Sequence, residues 1–223
     1  PVGKSVGVKR LLPVCLFLAA AASLRAQSAD DVVARLQRAE SEIQRLQFDY
    51  LQVTRIPLTG ESVKSRGAAL FERPNRFRLD QKTPQPQTVV CDGKDLWFYL
   101  PARGQVLRDS VDNWARSAGF PQGLSPFRLE TAELRSKYDI ALETPDAKTP
   151  VLRLTPRGDR AFPYDLRVWV DLATGLPVKT ELSSKSVTAT TTVKNFKINV
   201  LLSPDAFRFS PPAGTDVIDA PLK

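Results

Sequence analysis

The residue types that most often carry chemistry are scarce in this chain. Its 223 residues include 32 Lys plus Arg, 24 Asp plus Glu, 2 Cys and no His. Without imidazole there is no Ser-His-Asp or Cys-His arrangement, no general base poised near neutral pH, and none of the usual zinc or iron ligand sets. The acid pairs Glu130/Glu133 and Asp109/Asp112 are spaced for general acid and base work, but they stand on polar stretches with no accompanying motif and read as solvated surface. Val2-Gly3-Lys4-Ser5 has the end of a phosphate-binding loop without the glycine that should precede it. Cys91 follows Val89 and Val90 and reads as a buried strand thiol with no base near to activate it. Basic residues are scattered rather than gathered with stacking aromatics, so no nucleic-acid partner is expected. The chain therefore reads as non-enzymatic, with no metal and no cofactor. What remains is an Arg-Pro-Asn segment at Arg73 and a supply of aromatic side chains whose meaning depends on the elements that position them.

The N-terminus belongs to export rather than to the fold. Lys4, Lys9 and Arg10 precede the apolar run 11–22, and Ser23-Leu24-Arg25-Ala26 ends on a small residue, the layout of a secretory signal peptide. The run is shorter than the roughly 18 residues a spanning helix needs. Cys15 follows Val14 rather than the small residue that lipid attachment requires. Residues 1–26 are thus expected to be removed and 27–223 to form one domain in the periplasm. Losing Lys4, Lys9, Arg10 and Arg25 takes the formal charge from +8 to +4, a mild excess. Only Cys91 then remains, so the domain has no intramolecular disulfide and relies on its core.

The spacing of Val32, Leu36, Ala39, Ile43 and Leu46 predicts an amphipathic helix, with Ser28 or Asp30 available to cap it. Beyond Phe48 the texture is that of strands: 48–56, 62–72, 75–82, 87–92, 95–100, 104–109, 138–143, 150–155, 163–171, 177–184, 187–199 and 206–210. Turn signals such as Asp92-Gly93 and Thr174-Gly175 separate many of them, and short turns join antiparallel neighbours. The segment 111–137 interrupts this rhythm, with a helix expected near 128–136. The fold class is mainly β (α+β): a continuous sheet of about eleven strands that must curl, with helices lying over its concave face. In the strand at 95–100, Leu96, Phe98 and Leu100 point to one face and Trp97 and Tyr99 to the other.

Phe71-Glu72-Arg73-Pro74-Asn75-Arg76-Phe77 is followed by Val89-Val90-Cys91-Asp92-Gly93-Lys94-Asp95-Leu96-Trp97-Phe98-Tyr99. With Tyr50-Leu51-Gln52, Ser125-Pro126-Phe127 and Phe207-Arg208-Phe209-Ser210-Pro211-Pro212-Ala213-Gly214, these segments in order resemble the periplasmic outer-membrane lipoprotein carrier family, LolA. The resemblance implies an incomplete antiparallel β-barrel with helices forming a lid over a hydrophobic cavity. It also implies a chaperone that takes acylated lipoproteins from an inner-membrane ABC transporter to an outer-membrane receptor, acting as a monomer. Each acyl methylene transferred to water costs about 0.8 kcal/mol, so three chains of about fifteen carbons cost on the order of 36 kcal/mol. A soluble carrier must replace the membrane with its own apolar wall.

By the same resemblance Arg73 is a lid latch, bonding lid backbone in the closed state, and Pro74 fixes the chain after it. Tyr50, Phe77, Leu79, Trp97, Tyr99, Leu124 and Phe127 are expected in the acyl-chain cavity. Arg76, Arg78, Arg128 and Glu130 depart from the pattern by adding charge, which implies a wetter or differently shaped cavity mouth. The alternative on the same scaffold is an envelope sensor or interaction module that binds lipid or lipoprotein.

Overall fold

The computed structural model describes residues 27–111, 113, 134–144, 148–158 and 164–219. Helix α1 (Ala29–Glu42) opens it. Ser28 caps the helix: its hydroxyl accepts from the Asp31 amide at 3.1 Å, while the Asp31 carboxylate accepts from the Ser28 amide at 2.9 Å. The chain then forms β1 (Arg45–Ile56), β2 (Glu61–Glu72), β3 (Arg76–Thr83), β4 (Gln87–Asp92), β5 (Asp95–Leu100) and β6 (Gln105–Ser110). A short helix α2 (Leu134–Lys137) leads to β7 (Tyr138–Leu142), β8 (Val151–Pro156), β9 (Tyr164–Asp171), β10 (Leu176–Ser184), β11 (Thr188–Ile198) and β12 (Asp216–Asp219). No helix among the described residues is long and apolar enough to cross a membrane.

All twelve strands form one open sheet in the order β12-β6-β5-β4-β3-β2-β1-β11-β10-β9-β8-β7. Two antiparallel meanders, β1 to β6 and β7 to β11, are joined where β1 pairs with β11. The mainly β incomplete barrel expected from the sequence is the fold found, with twelve strands among the described residues against about eleven expected.

The ends of two elements differ from expectation. Residues 206–210 do not form a strand. A turn at Ser203-Pro204-Asp205, closed by the Ala206 amide on the Ser203 carbonyl at 2.9 Å, and the donor-less pair Pro211-Pro212 keep them out of the ladder. The segment from Asn199 to Thr215 instead crosses one face of the sheet, and its length lets β12 return parallel to β6. Likewise α1 stops at Glu42 with Ile43 already extended, so Leu46 belongs to β1 rather than to the helix. The apolar rhythm continued across the junction because Leu46, Phe48 and Tyr50 are buried by strand alternation.

Most of the core lies on one face, here called inner, part of it under α1, while Val90 and Val106 are fully buried on the opposite face. Val32, Val33 and Leu36 pack with Leu152, Leu154, Leu166, Val168 and Val170 of β8 and β9. The β9–β10 turn passes close beneath the helix: Gly175 has φ +70°, and a Cβ there would meet the Arg35 carbonyl at 2.9 Å. Ile43, Leu46, Phe48, Tyr50, Ala69, Leu176 and Val193 form a second cluster. A third contains Phe77, Val89, Cys91 and Leu96, with Cys91 fully buried as its context predicted.

Candidate functional site

Strand registers extend the inner face into a continuous apolar row. Phe48 pairs with Ala69, Ala69 with Leu79, Leu79 with Val89, and Val89 with Phe98. Phe98 faces Leu107, which faces Ile218 at the parallel edge. The row is tightly covered at its centre, where Phe48 and Val89 are each 3% exposed, and opens at the edge, where Leu107 is 39% and Ile218 40% exposed. An apolar wall that becomes accessible toward one rim is suited to take a hydrocarbon chain from the side.

Tyr50 stands beside this row. Its ring lies over Gly67 of β2, where a Cβ would meet the Asp80 carbonyl at 2.2 Å and Tyr50 Cε1 at 2.8 Å, so only glycine admits both neighbours. The Tyr50 hydroxyl is buried and has no hydrogen-bond partner among the described residues. Burial, reinforced by the carboxylate of Asp80, pushes the phenol up to about 12 from 10.0, so it is a neutral donor at any ordinary pH. Gln52, one inward step along β1, donates to the Thr191 hydroxyl at 3.2 Å, and Thr191 is fully buried where the two meanders meet.

The C-terminal end of α1 is fastened from two separate parts of the chain. The last turn of the helix contains no basic residue of its own. Arg73, at the β2–β3 turn, donates through Nε to the Ile43 carbonyl at 2.8 Å and through Nη2 to the Glu40 carbonyl at 2.7 Å. Its amide donates to the Gln44 carbonyl at 2.9 Å, and Nη2 lies 3.6 Å from the Glu40 carboxylate. A guanidinium suits this place because its fork reaches two orphan carbonyls and its charge opposes the negative end of the helix dipole. Pro74 follows through a cis peptide bond and is exposed.

Asn199, at the end of β11, completes the fastening. Its Nδ2 donates to the Glu42 carbonyl at 2.9 Å, and its Oδ1 accepts from the amides of Gln44 at 2.8 Å and Arg45 at 3.1 Å. Its backbone is left-handed, with φ 54°, a conformation that Asn adopts more readily than most side-chain-bearing residues. No motif marks this residue in the sequence; its one local signal is an Asn directly after a strand pattern.

Of the residues expected in the cavity, Tyr50, Phe77 and Leu79 share the inner face. Trp97 and Tyr99 do not. They project from the opposite face of β5, each with its ring centroid 5.8 Å from that of Phe209, and Arg108 sits 4.9 Å above the Trp97 ring. The reason is alternation: with Leu96 and Phe98 facing inward, their neighbours must face outward, where the 199–215 segment covers them. Arg76 and Arg78 are outward as well and do not wet the inner wall. Arg76 pairs with Glu72 and lies 5.4 Å over the Phe207 ring, while Arg78 Nε donates to Asp80 at 2.7 Å. Leu124, Phe127, Arg128, Glu130 and residues 1–26 lie outside the described residues.

Comparison with known proteins agrees with this architecture. The family model described as outer membrane lipoprotein carrier protein LolA matches residues 41–210. An outer-membrane lipoprotein carrier protein of Actinobacillus pleuropneumoniae serotype 7 is 28% identical over 214 residues, covering 95% of this chain and 96% of its own. One from Alkalilimnicola ehrlichii is 31% identical over 212 residues, covering 94% and 93%. Among solved structures, an uncharacterized conserved protein of Thermus thermophilus shares the fold with TM-score 0.53 at 17% identity, over 86% of this chain and 99% of that one. MucB shares it with TM-score 0.51 at 23% identity, over 85% and 65%. An open half-barrel with a helix fastened over its apolar face, matched by that model over most of its length, places this chain in the LolA family of outer membrane lipoprotein carrier proteins.

Proposed function

We propose that this protein is a non-enzymatic periplasmic chaperone that holds the acyl chains of lipoproteins against its inner face and carries them from the inner to the outer membrane. In this reading residues 1–26 direct export and are removed, and residues 27–223 act as a single carrier domain. An inner-membrane lipoprotein-releasing ABC transporter loads it, and an outer-membrane lipoprotein receptor unloads it.

The observation that supports the reading best is the inner wall roofed by α1, whose end is fastened by polar contacts rather than by packing alone. Tyr50, Phe77 and Leu79 contribute to the wall, and Leu124 and Phe127 are assigned to the same acyl-chain cavity. Arg73 is the latch: when acyl chains push α1 outward, its bonds to the Glu40 and Ile43 carbonyls break and those carbonyls pass to water. The strained, open form then favours hand-over, because closing again is downhill once cargo has left.

The test is release of a radiolabelled acylated lipoprotein from inner-membrane spheroplasts by purified protein, followed by transfer to outer membranes. Soluble lipoprotein that co-purifies with the protein is expected. Binding of an environment-sensitive fatty-acid probe with no release of lipoprotein would overturn the carrier role and leave a lipid-sensing module. Arg73→Leu is expected to take cargo but deliver it poorly, and unchanged delivery would remove Arg73 from the latch.

A further inference from the structure

Resting on the carrier reading, we infer that the Tyr50 hydroxyl is a recognition point inside the apolar wall, donating a hydrogen bond to a carbonyl oxygen at the head of a bound acyl chain. Phe48 and Ala69 stand beside it on the same face, and Gln52, the next inward residue of β1, is already bonded to Thr191. A buried hydroxyl in such surroundings ordinarily has a partner, because leaving a donor dry and unmade is costly. Tyr50 is 5% exposed and its oxygen meets no acceptor among the described residues. A phenylalanine would fill the same space over Gly67 without that cost, so the oxygen is the feature to explain.

The chemistry of the missing acceptor is narrow. A neutral acceptor suits the hydroxyl, since Tyr50 is almost fully buried and a phosphate or free fatty-acid carboxylate would have to shed its hydration there. The acceptor must arrive with an apolar body, since the row beside Tyr50 from Phe48 to Ile218 is apolar. An ester or amide carbonyl at the root of an alkyl chain meets both conditions. The methylenes then run along the row toward Leu107 and Ile218, where the wall opens.

Acyl carbonyls occur in two sources, the acylated N-terminus of a lipoprotein and a diacyl phospholipid, and the experiment separates them. Binding of a triacylated cysteinyl lipopeptide and of its ether analogue, in which ethers replace both esters and an N-alkyl group replaces the N-acyl amide so that no acyl carbonyl remains, is measured for the full protein and for Tyr50→Phe. The ester-linked lipopeptide is expected to bind Tyr50→Phe roughly 5-fold more weakly than wild type, and the ether analogue to bind both alike. With a carbonyl-labelled ester, the infrared carbonyl band should shift to lower frequency on wild type and not on Tyr50→Phe. Equal binding of the ester lipopeptide by both proteins, with no band difference, overturns the inference while leaving the carrier reading intact. An equal loss for the ether analogue overturns it too, because the hydroxyl would then act only through packing. If the hydroxyl dependence appears with ester against ether phospholipid but the lipopeptide does not bind at all, the carbonyl assignment stands and the lipoprotein reading falls.

Discussion

The two ends of α1 are attached to the sheet by different physics. At its N-terminal half, Val32, Val33 and Leu36 are 0%, 1% and 4% exposed, locked against aliphatic side chains of β8 and β9. Each such burial contributes about 1.5–3 kcal/mol, and none can be released without opening dry surface. At its C-terminal end Ile43 is buried and Ala39 partly so, and hydrogen bonds from Arg73 and Asn199 hold main-chain groups near solvent. Such bonds contribute about 0.5–1.5 kcal/mol each and are readily replaced by water. One helix thus has a fixed end and a releasable end. A lid that swings rather than dissociates needs that inequality.

The comparison breaks most readily at its strong side. Leu152→Ala, which removes a fully buried partner of the α1 half-site, should cost about 3–4 kcal/mol in urea unfolding, with a lower midpoint and unchanged slope. A loss below about 1 kcal/mol would mean that β8 and β9 do not hold the fixed end. Next comes the polar junction. Asn199→Ala removes a donor and an acceptor that serves two amides, and puts Ala in a left-handed position, for a loss of about 2 kcal/mol. Asn199→Gly keeps the backbone freedom and should recover about half of it, which separates strain from bonding.

Much of this difference was readable in the sequence, and the unreadable part has a common cause. The 3.6 period gave α1 its buried face, and the Arg-Pro-Asn segment singled out Arg73. Strand alternation correctly split Leu96 and Phe98 from Trp97 and Tyr99, yet a strand that is apolar on both sides does not say which side faces in. That was decided by a remote segment: Phe209 covers Trp97 and Tyr99 because the chain after Asn199 crosses the outer face before pairing with β6. Asn199 escaped notice for the same reason, since its partners Glu42, Gln44 and Arg45 are distant in sequence. Local pattern carries periodicity, whereas contacts made across the sheet carry the choice of face.

A smaller effect tests the wall beside the releasable end. The Tyr50 phenol is held up at about 12 in the folded protein against 10.0 when exposed, so above pH 10 the unfolded chain loses its proton first. Between those values the folded state binds more protons, and stability therefore falls as pH rises. The decline attributable to Tyr50 should reach about 1–2 kcal/mol by pH 12, allowing for screening, and should be absent in Tyr50→Phe. Equal alkaline slopes in the two proteins would mean that the phenol is solvated and that the wall is open at Tyr50.

The smallest stability effect should fall on Arg73, although the effect proposed for it on delivery is large. Its side chain is 38% exposed, so its charge is screened, and water can take over both helix carbonyls when it goes. Arg73→Leu should therefore cost less than about 1 kcal/mol in global unfolding. Its signature should be local: faster amide exchange at Ile43, Gln44 and Arg45, with Val32, Val33 and Leu36 unchanged. Arg73→Lys, which keeps the charge near the dipole but cannot fork to two carbonyls, should fall between the two in exchange rate. Were Arg73→Leu to destabilise the whole protein as Leu152→Ala does, both ends of α1 would be structural and a swinging lid would have no hinge. Were it to leave exchange at residues 43–45 untouched, Asn199 alone would hold the junction, and release would have to begin at the end of β11 rather than at the β2–β3 turn.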